Sequence, residues 1–266
     1  MTLSKIMQCK EIILMDNTKK FNGYAKDYTS GRPSYSKELI DCFYNEYGVS
    51  NNSIIADIGS GTGKFAKHLL ERKSEVYCVE PNDDMRRMAE AELGEYSNFH
   101  SVNGNAENTT LENGSVDYIT TAQAFHWFDV NIFKGECSRI LRGKGTVFLI
   151  WNVRDDDKLN QELFQIYSGF CPDFKGFSGG MKKDDQRIRD FFDDRYDYVS
   201  FDNPLFYDKE KFIARSLSGS YSLKEGDKEY ASYIESILDV FDRYSEDGIV
   251  SIGHRSVAYI GQINKY

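Results

Sequence analysis

Apolar and polar positions follow two alternating periods along the first 155 residues. Short runs rich in β-branched and aromatic residues at 53–57, 75–80, 99–102, 116–122 and 146–151 each predict a strand. Between them the apolar residues recur at helical spacing. Leu39, Ile40, Phe43 and Tyr47 line one face of a helix that Ser36 caps, and Phe65, Ala66, Leu69 and Leu70 line another. Asn82 is placed to cap a third, with Asp83 and Asp84 in its first turn, where negative charge suits the helix dipole. A fourth helix covers roughly 130–141 and stops at a predicted turn, Gly143-Lys144-Gly145.

Strands that alternate with helices build a parallel sheet covered on both faces, with right-handed connections. Ligands bind such sheets at the carboxyl ends of the strands. Those ends fall here at 57–63, Glu80, 104–107 and 123–128, and all four carry polar residues. After residue 155 the pattern changes. Helical stretches at 157–170, 209–219 and 226–246 surround one strand at 196–201, and a last strand covers 256–263. The helices read as a cap over the open edge of the site.

Composition narrows the class. Lys and Arg number 33 against 42 Asp and Glu, a net charge of −9. That balance disfavours nucleic acid and anionic membrane and favours a small-molecule partner. The five cysteines have neither zinc nor redox-pair spacing, and no apolar run approaches membrane-spanning length. The expected location is cytoplasmic, with no metal, and the oligomeric state stays open.

The richest segment runs from Ile54 to Phe65: an apolar strand, then Asp57, then Gly59, Gly61 and Gly63. Such a loop is expected to bring backbone N–H groups and a helix start close to a ligand. A phosphate-binding loop would need Gly at position 58 and Ser or Thr at 65, where Ile58 and Phe65 stand. A dinucleotide fingerprint would need Gly at position 64, which is Lys64. Glu80 lies 19 residues beyond Gly61, the offset at which a carboxylate grips ribose hydroxyls in βαβ nucleotide sites.

The run Asp57-Ile58-Gly59-Ser60-Gly61-Thr62-Gly63 resembles the first motif of class I S-adenosylmethionine-dependent methyltransferases. Val79-Glu80-Pro81-Asn82 and Gly104-Asn105-Ala106-Glu107 resemble their second and third motifs, and 116–119 resembles the strand that follows. More narrowly, Ala122-Gln123-Ala124-Phe125-His126-Trp127-Phe128 is similar to a signature of the subgroup related to trans-aconitate methyltransferase. So are the segment 21–35, with Tyr28 and Arg32, and the segment 150–155. Ser60 stands where the family commonly has cysteine.

The resemblance implies a Rossmann-like, seven-stranded, mainly parallel α/β sheet with helices on both faces and a helical cap. The implied division is a cofactor-binding core with an N-terminal lid over 1–155, a cap with a sheet-edge strand over 156–247, and a final core strand over 248–266. It implies S-adenosylmethionine as cofactor. Gly59, Ser60, Gly61 and Gly63 would form the loop against its methionyl part, and Asp57 would meet its amino group. Glu80 would hold the ribose hydroxyls. Pro81 and Met85 would pack on the adenine, and Asn105, Ala106 and Glu107 would meet its edge. Gln123 and Phe125 would lie by the methyl group, where Phe125 or Trp127 offers a cation–π face. Tyr28 would form part of a lid, and Arg32 would pair with a carboxylate. His126 is the one candidate general base, with a loop-holding role as the alternative. The expected activity is methyl transfer to a small-molecule acceptor, with a carboxylate among the options. An NAD-dependent oxidoreductase and a non-catalytic S-adenosylmethionine-binding protein are the rivals.

Overall fold

The computed structural model describes residues 33–177, 185–219 and 221–263. Tyr28, Arg32 and the expected lid lie outside these residues. The chain opens with helix α1 (Lys37–Glu46), strand β1 (Ile54–Ile58), α2 (Ala66–Glu71), β2 (Glu75–Val79), α3 (Asp83–Leu93), β3 (Phe99–Val102) and β4 (Val116–Ala122). Then come α4 (Val130–Ile140), β5 (Leu141–Arg154), α5 (Lys158–Phe170), α6 (Gln186–Phe192) and β6 (Asp197–Asp202). The chain continues through β7 (Leu205–Tyr207), α7 (Lys209–Leu217), α8 (Tyr230–Tyr244), β8 (Ser245–Glu246), β9 (Ile249–Ile252) and β10 (His254–Gln262).

Seven strands form one sheet in the order β3-β2-β1-β4-β5-β10-β6. Neighbours from β3 to β5 pair in parallel, and β10 is antiparallel to both β5 and β6. β10 is therefore the single reversed strand, as the resemblance implies. Strand order reverses between β1 and β4, so their carboxyl ends flank a crevice.

Helices hold the sheet from both sides. On one face Leu39, Ile40 and Phe43 of α1 meet Phe65, Leu69 and Phe148, with the Phe43 and Phe148 ring centroids 4.2 Å apart. On the other, Phe133 of α4 stacks on Phe191 of α6 above Phe125 and Trp151. Each such fully buried aromatic contributes about 2–3 kcal/mol. The caps at Ser36 and Asn82 form as expected. Ser36 Oγ accepts from Leu39 N, and Asn82 Oδ1 accepts from the Asp84 and Met85 amides.

Two local expectations change. The Gly143-Lys144-Gly145 turn is absorbed into β5 as a bulge. Pairing moves from Val116↔Leu141 to Tyr118↔Thr146, with Gly143 at φ +55°. The cap also carries its own antiparallel sheet, β7-β9-β8, over a core built by Leu163, Tyr167, Phe212, Tyr233 and Ile237. β9 pairs in that cap sheet, and the chain enters the main sheet only after Gly253. Among the described residues no helix is long and apolar enough to cross a membrane.

Candidate functional site

The carboxyl ends of β1, β2 and β4 open into a cavity of about 430 Å³, within the range of small-molecule sites. Asp57, Gly59, Ser60, Gly61, Glu80, Pro81, Met85, Asn105, Ala106, Glu107 and Gln123 all line it. They come from four separate strand ends and one sheet brings them together.

Asp57 is the most unusual of them. It is 1% exposed. Thr120 Oγ1 donates to its Oδ1 at 2.8 Å, while Oδ2 is buried with no hydrogen-bond partner among the described residues. Burial pushes its pKa up to about 7; the Thr120 bond opposes this and the charge of Glu80 adds to it. Glu80 is likewise buried. Its Oε2 accepts from Gly61 N and its Oε1 from Asn82 N, each at 2.9 Å. Burial raises its pKa against those two backbone donors and nearby Arg86. Two buried carboxyls on neighbouring strands make a cavity suited to positive charge.

The glycine loop is prefolded by bonds within the protein. Gly59 N and Ser60 N donate to Val79 O, Gly61 N to Glu80, and Gly63 N to Ser60 O. These amides are thus used internally, and the six-residue α2 begins without a side-chain cap. Close approach rests instead on a missing side chain. A Cβ on Gly61 (φ +57°) would point into open space, so the loop leaves a cradle there. A Cβ on Gly59 (φ +69°) would stand 2.7 Å from Ala124 Cβ. Gly63 does not line the cavity; a Cβ there would collide with Leu93 of α3, so its requirement is helix packing.

Asn105 closes a turn, its Oδ1 accepting from Glu107 N and Asn108 N, and it also faces the cavity. Glu107 Oε1 accepts from Asp129 N at the start of α4. Gln123 sits at φ +58°, a strained value for a residue with a side chain, and its Nε2 donates to Asn152 O. Beyond it the aromatic heptapeptide divides. Its 3₁₀ turn, Phe125–Trp127, aims the fully buried Phe125 ring into the core against Phe128, Phe133, Trp151 and Phe191. Phe125 is therefore off the cavity wall, as is His126, whereas Trp127 and Phe128 lie on it.

Tyr35, Phe65, Ile132 and Asn152 also line the cavity and were not foreseen. Asn152 ties the site to the incoming chain: Nδ2 donates to Ser34 O, and Oδ1 accepts from the buried Ser256 Oγ. Two signals pointed to it: its place just past the predicted fifth strand, and the likeness of 150–155 to the subgroup.

The residues fit S-adenosylmethionine: a buried carboxylate oxygen without a partner among the described residues for an ammonium, a cradle at Gly61, a second buried acid at the end of the neighbouring strand for the ribose hydroxyls, and apolar walls at Pro81, Met85 and Phe128. Residues 56–149 match the model of a methyltransferase domain. The chain is 26% identical over 244 residues to an uncharacterized methyltransferase-like protein of Schizosaccharomyces pombe, covering 91% of this chain and 94% of that one. The segment 56–149 thus carries a methyltransferase domain. An uncharacterized methyltransferase of Mycobacterium tuberculosis is 35% identical over 141 residues, 53% of this chain and 55% of that one, so the match spans about half of the relative's length. A protein of Anaeromyxobacter dehalogenans, described as a type II methyltransferase, shares the fold of this chain. Its TM-score is 0.66 at 18% identity, over 88% of this chain and 99% of that one.

Proposed function

We propose that the chain transfers a methyl group from S-adenosylmethionine to a small-molecule acceptor lying under the cap. The observation that carries this reading is the unpartnered Asp57 Oδ2 inside a cavity that also holds Glu80. S-adenosylmethionine supplies, when bound, a methyl group already activated by its sulfonium. The protein's work is then mainly to bind and orient.

In this reading Asp57 accepts a hydrogen bond from the amino group, and Thr120 fixes which carboxylate oxygen is free. Glu80 uses the lone pairs left over from Gly61 N and Asn82 N for the ribose hydroxyls. Met85, Pro81 and Ala106 cover the base, and Trp127 and Phe128 exclude water on the side toward α4. Tyr28 and Arg32 join this reading on the resemblance alone; among the described residues, Ser34 O accepts from Asn152 Nδ2 and Asn203 Nδ2. His126 lies off the cavity wall, and a carboxylate acceptor needs no base; the likeness of 122–128 to the trans-aconitate methyltransferase subgroup favours such an acceptor.

Calorimetry with S-adenosylmethionine and with NAD tests the cofactor, and release of S-adenosylhomocysteine over a metabolite panel tests turnover. Binding of the methyl donor but not NAD is expected. Tight NAD binding without methyl-donor binding would end the reading.

A further inference from the structure

β5 passes the cavity at Asn152 and ends two residues later at Arg154. The strand's period of two sets Arg154 on the face of Asn152, about 7 Å further toward the cap. Its guanidinium lies 4.3 Å from the centre of the Phe177 ring, and Nη1 donates to Asn160 Oδ1 at 2.8 Å. Phe177 packs in one cluster with Tyr167, Tyr221 and Leu217, with ring centroids 5.9 Å apart for Phe177 and Tyr167 and 5.5 Å for Tyr167 and Tyr221. Arg215 comes from the same helix as Leu217, α7, and its charge acts on Arg154. Arg215 Nη1 donates to Ser218 Oγ, while its Nε is buried with no acceptor among the described residues. Both guanidiniums act on His254 at the start of β10 and on Tyr221. Tyr167 of α5 and Tyr207 of β7 also face Arg154.

None of these neighbours carries negative charge. Every other described arginine pairs with an aspartate or glutamate, among them Arg86 with Asp83, Arg139 with Glu136 and Arg243 with Glu162. Arg154 and Arg215 alone among the described arginines do not, in a chain with an excess of acids. Burial, with the two arginines adding, drives the His254 pKa down to about 3, so its imidazole is neutral. Burial also pushes the Tyr221 phenol up to about 12, which keeps it a donor. Two guanidiniums held near each other without a counter-charge repel unless an anion joins them. Their forked donors match carboxylate and phosphate oxygens.

We propose that Arg154 and Arg215 grip an oxyanionic group of the acceptor, a carboxylate or a phosphate, that is separate from the group being methylated. This rests on the methyl-transfer reading above. The oxyanion lies beyond the cavity wall at Asn152, and the charge it shares with two guanidiniums makes it a poor nucleophile. The acceptor is then bifunctional: an anionic handle under the cap and a nucleophile facing the cofactor cavity.

The test uses the full chain saturated with S-adenosylhomocysteine and calorimetric titration with succinate, tricarballylate and glycerol 3-phosphate. Succinamide, tricarballylamide and glycerol serve as uncharged counterparts. At least one anion should bind tenfold or more tighter than its counterpart, and the preferred class distinguishes carboxylate from phosphate. R154Q and R215Q should each weaken that anion at least tenfold, with R154K and R215K in between, while affinity for S-adenosylmethionine stays within about twofold, which also shows that the variants fold. A wild-type chain that binds S-adenosylmethionine but treats anion and counterpart alike overturns this inference alone, as do glutamine variants that bind the anion unchanged. A wild-type chain that fails to bind S-adenosylmethionine overturns the methyl-transfer reading itself.

Discussion

Replacing Asp57 with asparagine should make the free protein more stable at neutral pH and a worse binder of its methyl donor. In the folded chain burial raises the Asp57 carboxyl from 3.8 to about 7. A raised carboxyl binds its proton more tightly folded than unfolded. Its ionisation therefore costs stability, beginning above the unfolded value and complete above about 7. Three pKa units correspond to roughly 4 kcal/mol. The asparagine amide, with no acceptor built for it, takes back about 1–3 kcal/mol. A net gain of about 1–3 kcal/mol at pH 8 would raise Tm by about 3–8 °C in a domain of this size. The gain should fade as pH falls toward 4, near the unfolded value of 3.8, and vanish below it, where the carboxyl is protonated in both states. Binding moves the other way. Loss of a charge-assisted bond to the ammonium costs about 1.5–3 kcal/mol, or ten- to a hundredfold in affinity. Scanning calorimetry from pH 4.5 to 8 and titration with S-adenosylmethionine at pH 5.5, 6.5 and 7.5 measure both. Wild-type affinity should climb with pH up to about 7, and D57N should show a shallower slope. D57N with unchanged affinity, or wild-type affinity flat between pH 5.5 and 7.5, refutes the reasoning.

Glu80→Ala should weaken S-adenosylmethionine at least tenfold and lower Tm, because Gly61 N and Asn82 N lose their acceptor as well as the ribose losing its partner; unchanged affinity by calorimetry would refute the ribose role. The glycine pair separates packing from binding. G59A drives a Cβ against Ala124 and should mainly destabilise, by about 1–3 kcal/mol in denaturant unfolding. G61A meets nothing in the free protein, so its stability loss should stay near 1 kcal/mol while affinity falls at least tenfold. Equal binding by G61A and wild type would place the cofactor elsewhere.

The cofactor site was legible where its chemistry is local. Asp57, the glycines and Glu80 lie at the ends of two adjacent strands joined by one helix, so short-range spacing carries the geometry. Legibility failed where the choice depends on which way a turn faces. Phe125 and Trp127 are two residues apart in one aromatic run, yet the 3₁₀ turn buries the first and leaves the second on the cavity wall. Gly63 looked like its two neighbours, but its requirement comes from Leu93, thirty residues away on another helix. The cap sheet escaped notice because β7, β8 and β9 hold only two to four residues each, too few to display a period.

By itself the chain of residues determined the alternation of strands and helices, the parallel sheet and the kind of ligand its first loop accepts, since each follows from contacts among near neighbours along the backbone. Only the tertiary structure decided that Asp57 keeps an oxygen without a partner among the described residues and that Arg154 and Arg215, from separate segments, act on the same His254 and Tyr221. Burial and the convergence of distant segments create both features. Those depend on how the whole chain packs, which no local pattern encodes.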